Sequence, residues 1–364
     1  MVIGQDAPAA VARARSAADG VPPARPRATL ADVARAVGVS TPTVSKVLNE
    51  RGDVAEQTRA RVLAALDAAG YVRRGEPAAA RPETSPLVEL VLADLDSSYA
   101  VEVVGGAEAA AAAAGAGLVV TASHGRRADG GRWLERLRGR RSAGVVLVIS
   151  GPDAPTAQEL RRLGVPLVLL DPVGNRDPHL PTVGATNWSG GLAATEHLLG
   201  LGHRRVAVVS GDPALACSQE RVDGYRAALG RAGVAVDEAL VRWGDFLPAA
   251  GRRCAAELLD LDDPPTAVFA GSDLQASGVY AEARARGLAV PRDLSVVGFD
   301  DLALCQYLSP PLTTVRQPLA DMAATAVRLA LEAGDGEPAV GAGTRHLQLA
   351  TTLVVRESTC PPVR

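Results

Sequence analysis

Four polar side chains between Thr41 and Lys46 could make hydrogen bonds to DNA. Thr41, Thr43, Ser45 and Lys46 carry hydroxyl or ammonium donors. A helix that exposes such a row can enter the major groove and meet base edges and phosphates. The predicted DNA contacts are Thr41, Pro42, Thr43, Ser45 and Lys46 on this helix, with Thr29 and Asn49 expected on phosphates.

Two short helices joined by a tight turn are predicted to position these donors. Apolar residues of the first helix recur at helical spacing, at Leu30, Val33, Ala34 and Val37. Gly38 is the expected helix stop, and Ser40 is placed to cap the second helix. Apolar residues of the second helix would face the first: Val44, Val47 and Leu48. The pattern is also typical of an ordinary helical hairpin, so spacing alone leaves the function open.

The sequence of residues 29–49 favours a DNA-binding helix pair over an ordinary helical hairpin. TLADVARAVGVSTPTVSKVLN closely resembles the DNA-binding headpiece of LacI/GalR-type transcriptional regulators, and VAEQTRARVLAALDAAGY at 54–71 resembles the third helix of that headpiece. The resemblance implies a three-helix helix-turn-helix domain over 28–75. Further candidates for phosphate contacts, with solvent-facing helix residues as the equal alternative, are Arg59, Arg61, Arg73 and Arg74.

The segments on either side of this domain carry different expectations. Residues 1–27 are rich in Ala, Pro and Arg, which favours a disordered tail. Residues 76–85 form a linker, where the family has a hinge helix with a leucine that wedges into the minor groove. Here no leucine occurs between Tyr71 and Leu87, and Pro82 disfavours helical geometry at Arg81. We therefore expect weak or absent wedging, with Arg81 as a minor-groove contact.

Composition and charge fit a DNA-contacting module joined to a larger body. The length of 364 residues predicts two or three domains, and a hydrophobic content of 47% is enough for globular folding. Its net charge of −3 is uneven, since residues 1–84 contain 12 basic and 9 acidic side chains while the remainder is acidic. A mildly basic N-terminal region followed by an acidic remainder supports the DNA-binding interpretation without being sufficient for it.

Several classes of protein are disfavoured. Four cysteines lie far apart without paired metal spacing, so we predict no metal, no cofactor and a reducing compartment. Neither a signal peptide nor a membrane span is predicted, and we expect the protein in the cytoplasm, with no membrane partner. The sequence contains no GxSxG, P-loop or HExxH motif, which argues against an enzyme.

From Leu87 onward, short apolar runs alternate with longer amphipathic stretches. The runs cover 87–92, 117–120, 144–149, 165–170, 206–210, 266–270 and 294–299. This pattern indicates βαβ units with buried parallel strands, hence an α/β fold. Hydroxyl or carboxylate groups follow nearly every run, where open α/β sheets bind ligands. Loop polarity and helix capping account for part of these positions.

The resemblance to LacI/GalR regulators continues across 86–358. It includes NWSGGLAATEHLLGLGHRRVAVV at 187–209, LSVVGFDDL at 294–302 and PPLTTVRQPL at 310–319. It implies a core like that of periplasmic sugar-binding proteins, with two Rossmann-like lobes and the effector between them. The expected N-lobe spans 86–183 and 319–334, and the expected C-lobe spans 184–315 and 344–358.

Most of the effector-binding candidates are residues that match effector-contacting positions of the LacI/GalR family. Arg221 offers a planar guanidinium for two parallel hydrogen bonds, and Asp300 accepts from ligand hydroxyls. Ser272 stands where the family often has asparagine, which hints at a different ligand. The full set is Tyr99, Asp171, Arg221, Phe246, Ser272, Asp300 and Gln317, with Tyr99 and Phe246 as stacking faces that could equally be ordinary packing.

These observations favour a repressor of LacI type that binds an inverted-repeat operator as a homodimer and responds to a small molecule. A mono- or oligosaccharide is the favoured effector because acidic and hydroxyl groups recur at strand ends. A purine or nucleoside is the rival effector, although 3% aromatic residues leave little for stacking. The alternative class is a solute-binding protein, for which the core fits but an export signal is lacking.

Overall fold

The computed structural model describes residues 30–48, 54–68, 85–123, 134, 135, 137, 142–148, 158–160, 162–172, 180–334 and 345–363. Two compact units form, one within residues 1–83 and the other within residues 84–364. Several predicted features lie outside the described residues: the tail over 1–27, the hinge up to residue 84, Thr29, Asn49, Arg73, Arg74 and Arg81.

The first unit contains three helices, α1 Leu30–Val37, α2 Thr41–Leu48 and α3 Glu56–Ala68. Gly38 ends α1 with a φ of 73°, a conformation that glycine adopts without strain. Ser40 caps α2, because its hydroxyl accepts from the backbone amide of Thr43 at 3.3 Å. A small core joins the helices through Val33, Ala34, Val37, Val44, Val47, Val62 and Leu66. The predicted three-helix headpiece is confirmed.

The second unit contains two six-stranded sheets, which define two lobes. The sheet of lobe 1 runs in the order β11-β5-β4-β3-β1-β2, and every strand pair in it is parallel. Its strands are β1 Leu87–Leu92, β2 Gly117–Ala122, β3 Ser142–Val148, β4 Leu167–Leu170, β5 Thr182–Ala185 and β11 His346–Leu349. Helices α4 Ser98–Ala113 and α9 Leu319–Gly334 pack together over one face of it.

The sheet of lobe 2 has the order β12-β10-β9-β8-β6-β7, with only β12 antiparallel to its neighbour among the strands that the structure describes. Its strands are β6 Val206–Ser210, β7 Val241–Trp243, β8 Ala267–Ala270, β9 Ser295–Asp300, β10 Thr313–Arg316 and β12 Thr352–Val354. Its helices are α5 Asn187–Gly200, α6 Ala216–Arg231, α7 Pro248–Leu259 and α8 Asp273–Ala285. The central strands of both sheets are buried, as near-continuous apolar strands require.

The lobes differ from their expected boundaries in two places. Strand β5 lies in the sheet of lobe 1, although residues 184 and 185 were assigned to the C-lobe. Strand β11 pairs in parallel with β5, so residues 346–349 also belong to lobe 1 and not to the C-lobe. Helix α9 packs on lobe 1 as expected. A short strand pairs with whichever edge its connection reaches, and composition alone does not reveal that edge.

The chain crosses between the lobes beside β5 and β11. Thr186 and Thr351 lie on these neighbouring crossovers, and the Thr351 amide donates to the Thr186 hydroxyl at 2.9 Å. The Thr351 hydroxyl donates to the carbonyl oxygen of Thr186 at 3.2 Å. Two of the connections between lobes are therefore hydrogen-bonded to each other.

Within the described residues, no helix has the length and apolar character to cross a bilayer.

Candidate functional site

Arg221 is the central cation of the cleft between the lobes. It lies on α6, is 3% exposed, and donates from Nε to Asn187 Oδ1 at 2.9 Å. Its Nη1 donates to the carbonyl oxygen of Gly271. The guanidinium lies 3.8 Å from the ring centroid of Phe299 and 5.2 Å from that of Phe246, within cation–π range. These contacts fix the orientation of the side chain.

The close approach of two helices places Arg221 in the cleft. A Cβ atom on Gly191 of α5 would lie 2.2 Å from the backbone oxygen of Arg221, and one on Gly224 of α6 would lie 2.2 Å from the backbone oxygen of Trp188. Both distances are far shorter than a van der Waals contact. Only glycine therefore permits this crossing, which brings Asn187 of α5 within hydrogen-bonding distance of Arg221.

Asp300 ends β9 and faces the same guanidinium. Its Oδ1 lies 4.0 Å from Arg221 Nη1 and accepts from Gln317 Nε2 at 2.6 Å. Burial raises the pKa of Asp300 to about 8; Arg221 opposes the rise, whereas the neighbouring carboxylates, chiefly Asp273, add to it. Gln317 Oε1 is buried without a hydrogen-bond partner among the residues that the structure describes. A ligand donor could satisfy it.

Lobe 1 contributes Asp171 and Tyr99. Asp171 ends β4 with a φ of 49° and is 5% exposed, and the Tyr99 hydroxyl donates to its Oδ2 at 3.4 Å. Burial raises the pKa of Asp171, and the charge of Arg221 and the Tyr99 hydrogen bond oppose that rise. Burial, reinforced by the Asp171 and Asp300 carboxylates, raises the pKa of Tyr99 well above its ordinary value. Tyr99 therefore remains a hydroxyl donor.

Ser272 and Phe246 are already engaged with each other. The Ser272 hydroxyl donates to the carbonyl oxygen of Phe246 at 2.8 Å and accepts from the Gln275 amide at 3.0 Å, so it caps α8. Phe246 has a φ of 64° and is half-buried beside Arg221. Ser272 thus has a structural role that accounts for its position, while Phe246 stays partly exposed beside Arg221.

Asp301, next to Asp300, has a structural role. Its carboxylate accepts from Arg316 Nε at 2.7 Å and from Arg356 Nη2. Asp273, which is fully buried, accepts from the Leu302 amide at 2.8 Å and from the Thr314 hydroxyl. These bonds tie the loop after β9 to β10 and to the C-terminal segment, which positions Asp300.

A cavity of about 150 Å³ adjoins Asp171 on the side of the lobe crossovers. Both lobes line it, with Asp171, Pro172, Thr182, Gly184, Ala185, His346, Leu347 and Gln348 from lobe 1 and Asn187, Ala216, Cys217 and Glu220 from lobe 2. Most of these residues were missed from the sequence. Cys217 could have been found, because it precedes Arg221 by one helical turn. Burial raises its pKa to about 12, so the thiol stays protonated.

In the headpiece, α2 presents the predicted polar face. Thr41 and Pro42 are exposed, and Thr43, Ser45 and Lys46 are partly exposed. Val44 and Val47 point into the three-helix core on the opposite side. The structure therefore leaves this face of α2 accessible to a groove.

Arg61, one of the arginines proposed for phosphate contacts, makes a hydrogen bond within the headpiece. Its Nη2 donates to the carbonyl oxygen of Val37 at 2.7 Å, so it binds the C-terminus of α1 from α3. Such a bond satisfies a carbonyl group that has no partner within its own helix. Arg59 is half-buried on the same helix.

The fold and the cleft together define a class of protein: a helix-turn-helix unit on the same chain as a two-lobed ligand-binding core. Comparison with known proteins agrees. The family model described as bacterial regulatory proteins, lacI family, matches residues 29–74, and a periplasmic binding protein-like domain model matches residues 195–359.

Individual relatives cover nearly the whole chain. The regulator CelR of Thermobifida fusca is 35% identical over 346 residues, 92% of this chain and 99% of CelR. A solved CelR–cellobiose complex has a TM-score of 0.68 at 33% identity, covering 91% of this chain and all of the other. The lac repressor dimer bound to operator and the anti-inducer ONPF has a TM-score of 0.67 at 26% identity, covering 92% of this chain and all of the other.

The chain belongs to the LacI family of bacterial regulatory proteins. It is a DNA-binding transcriptional regulator with a helix-turn-helix headpiece and an effector-binding core. The family predicted from the sequence is therefore confirmed. Within the described parts of the chain, no group of three or more His, Cys, Asp or Glu side chains is placed to hold a metal ion.

Proposed function

We propose that this regulator is a repressor that binds an inverted-repeat operator as a homodimer and is controlled by a sugar held between its lobes. The operator-bound lac repressor dimer supports the assembly, and the CelR–cellobiose complex supports the effector class. The protein acts on DNA in the cytoplasm and carries out no catalysis.

The main support for a sugar effector is the set of polar groups that face the cleft. Arg221 supplies donors, whereas Asp171, Asp300 and Gln317 Oε1 supply acceptors. A polyol presents both donors and acceptors at short intervals, so it can satisfy both kinds of group. Phe246 adds one half-open ring, on which the apolar face of a sugar can pack.

Effector binding acts on DNA through the lobes. Asp171 belongs to lobe 1 and Arg221 to lobe 2, so a ligand that contacts both favours the closed arrangement. An effector shifts the equilibrium only by its difference in affinity for the two states. In the proposed dimer, closure changes the spacing of the two headpieces, which must match half-sites one DNA turn apart.

The effector class is tested by thermal shift of the full chain against a panel of sugars and nucleobases. A ligand at about one hundred times its Kd adds about 2.7 kcal/mol to the free energy of unfolding. We expect a sugar to raise the melting temperature of the wild type and to leave that of Arg221→Ala unchanged, while the variant still binds DNA. A shift with nucleobases alone would contradict a sugar effector.

Lys46→Ala tests the DNA-binding face. Removing one ammonium–phosphate contact should weaken operator binding and reduce the slope of log K against log salt by about one. Fluorescence anisotropy with a labelled operator, measured at several salt concentrations, gives both quantities. Arg35→Ala on α1 is the matched control, because Arg35 is exposed and paired with Asp32 on its own helix. Equal effects of the two substitutions would refute the assignment of α2.

A further inference from the structure

The cavity beside Asp171 adjoins the cleft around Arg221, because the two share Asp171 and Asn187. Asn187 lines the cavity and also accepts from Arg221 Nε. Asp171 lines it while accepting from Tyr99 on the cleft side. A ligand held by Arg221 and Asp300 can therefore extend past these two residues toward the crossovers.

The floor of the cavity is formed by two neighbouring strands of lobe 1. Thr182 pairs with His346 and Gly184 pairs with Gln348, so these four residues lie side by side on one face of the sheet. A Cβ atom on Gly184 would meet no other atom within 4 Å. The cavity thus exists where a strand residue lacks a side chain between two polar neighbours.

The lining supplies the groups that recognise a hydroxylated ring. His346 uses Nδ1 with the Thr182 hydroxyl at 2.9 Å, which directs a ligand to its Nε2. Gln348 can donate and accept, and Glu220 adds a carboxylate from lobe 2.

The size of the cavity fits one ring rather than a whole ligand. Ligand pockets commonly span about 300–1,000 Å³, and this cavity has about 150 Å³. We propose that it is a subsite for the second ring of a disaccharide whose first ring binds at Arg221, Asp300 and Phe246. This inference rests on the proposed sugar effector and adds the length of the ligand to it.

The subsite is tested by filling it from the strand. Gly184→Leu places a side chain into the open space, and Gly184→Ala is the matched control with a smaller group. Isothermal titration of the full chain would compare cellobiose, maltose, lactose, trehalose and sucrose with glucose, galactose and fructose. We expect at least one disaccharide to bind the wild type about tenfold tighter than its component monosaccharides.

The variants then separate the two halves of the ligand. Gly184→Leu should lower the affinity for that disaccharide about tenfold and leave that for the monosaccharide unchanged, whereas Gly184→Ala should leave both close to wild type. Disaccharides that bind no tighter than monosaccharides, or a Gly184→Leu variant with unaltered disaccharide affinity, would overturn the subsite and leave the sugar effector standing. If no saccharide of either size binds, the proposed function fails as well.

Discussion

At the scale of single residues, the cleft holds more carboxyl groups than it has cations to balance them. Asp171, Asp273 and Asp300 are buried, and Arg221 is the buried cation among the described residues that acts on Asp171 and Asp300. Burial and the other carboxylates together raise the pKa of Asp300 to about 8. In the ligand-free protein, the protonated form of Asp300 is therefore favoured at neutral pH.

This proton should make effector binding depend on pH. Ligand hydroxyls that donate to Asp300 favour the carboxylate, so binding lowers its pKa below about 8 and releases the proton. Affinity should therefore rise as pH increases from about 6 to about 9, and titrations in buffers of different ionisation enthalpy should detect the released proton. Asp300→Asn removes the titrating group, and an affinity that keeps its pH dependence in this variant would contradict the assignment.

The same shift affects stability in the opposite sense. A carboxyl whose pKa is raised by folding binds more protons in the native state than in the unfolded state between its two pKa values. The contribution of Asp300 to the free energy of unfolding should therefore be fully present below about pH 4 and fall as pH rises through about 8. Urea titrations of the ligand-free wild type and Asp300→Asn would isolate this term, and a wild-type curve parallel to that of the variant would disprove it.

At the scale of elements, the crossing of α5 and α6 determines where the cleft cation lies. Gly191 and Gly224 allow the two helix backbones to touch, which sets the position of Arg221 relative to Asn187. Such contacts allow no room for adjustment, because the atoms in the way are backbone atoms.

Gly191→Ala should therefore lower both stability and effector affinity. Its Cβ would lie 2.2 Å from the Arg221 carbonyl oxygen, so α6 must move away, at a cost of about 1–3 kcal/mol in the free energy of unfolding. Gly200→Ala, on the same helix, is the matched control, since its Cβ would meet nothing within 4 Å. Chemical denaturation and sugar titration would measure both effects, and two variants of equal stability would show that the contact is unimportant.

Elements with local signals were predictable from the sequence, and elements defined by distant pairing were not. Gly38 and Ser40 mark helix ends through their own backbone and side-chain chemistry, so α1 and α2 could be placed correctly. Strand β11 depends on pairing with β5, more than 160 residues earlier, and was assigned to the wrong lobe.

The candidate site also has one part that was predictable from the sequence and one part that was not. The resemblance gave positions for Arg221, Asp300 and Asp171, and the structure brings all three into one cleft. The cavity above Gly184 was not foreseen, because it arises from the register between two strands and from the absence of a side chain. A glycine in a strand carries no sequence signal that distinguishes a ligand cavity from a tight packing contact.

At the scale of the whole molecule, the two lobes differ in how the residues of their cores are distributed along the chain. The core of lobe 1 includes α9 residues from a segment that follows lobe 2 in sequence: Leu319, Met322, Ala323, Ala326, Val327, Leu329 and Ala330. The two buried clusters of lobe 2 consist of residues between 194 and 315. Lobe 2 therefore contains its core in one continuous stretch, whereas lobe 1 is completed only after lobe 2 has been made.

A fragment experiment tests this asymmetry. Residues 85–186 lack α9 and β11, so the apolar face of the lobe 1 sheet that α9 covers would be open to water, and we expect no cooperative thermal transition together with strong binding of a hydrophobic dye. Residues 187–318 keep both buried clusters but lose the edge strand β12 and the hydrogen bonds from His203 and Ser295 to the carbonyl oxygen of Cys360. This fragment should unfold cooperatively at a lower temperature than the full chain. Circular dichroism melts of both fragments would decide, and cooperative unfolding of 85–186 alone would show that α9 is not needed to complete lobe 1.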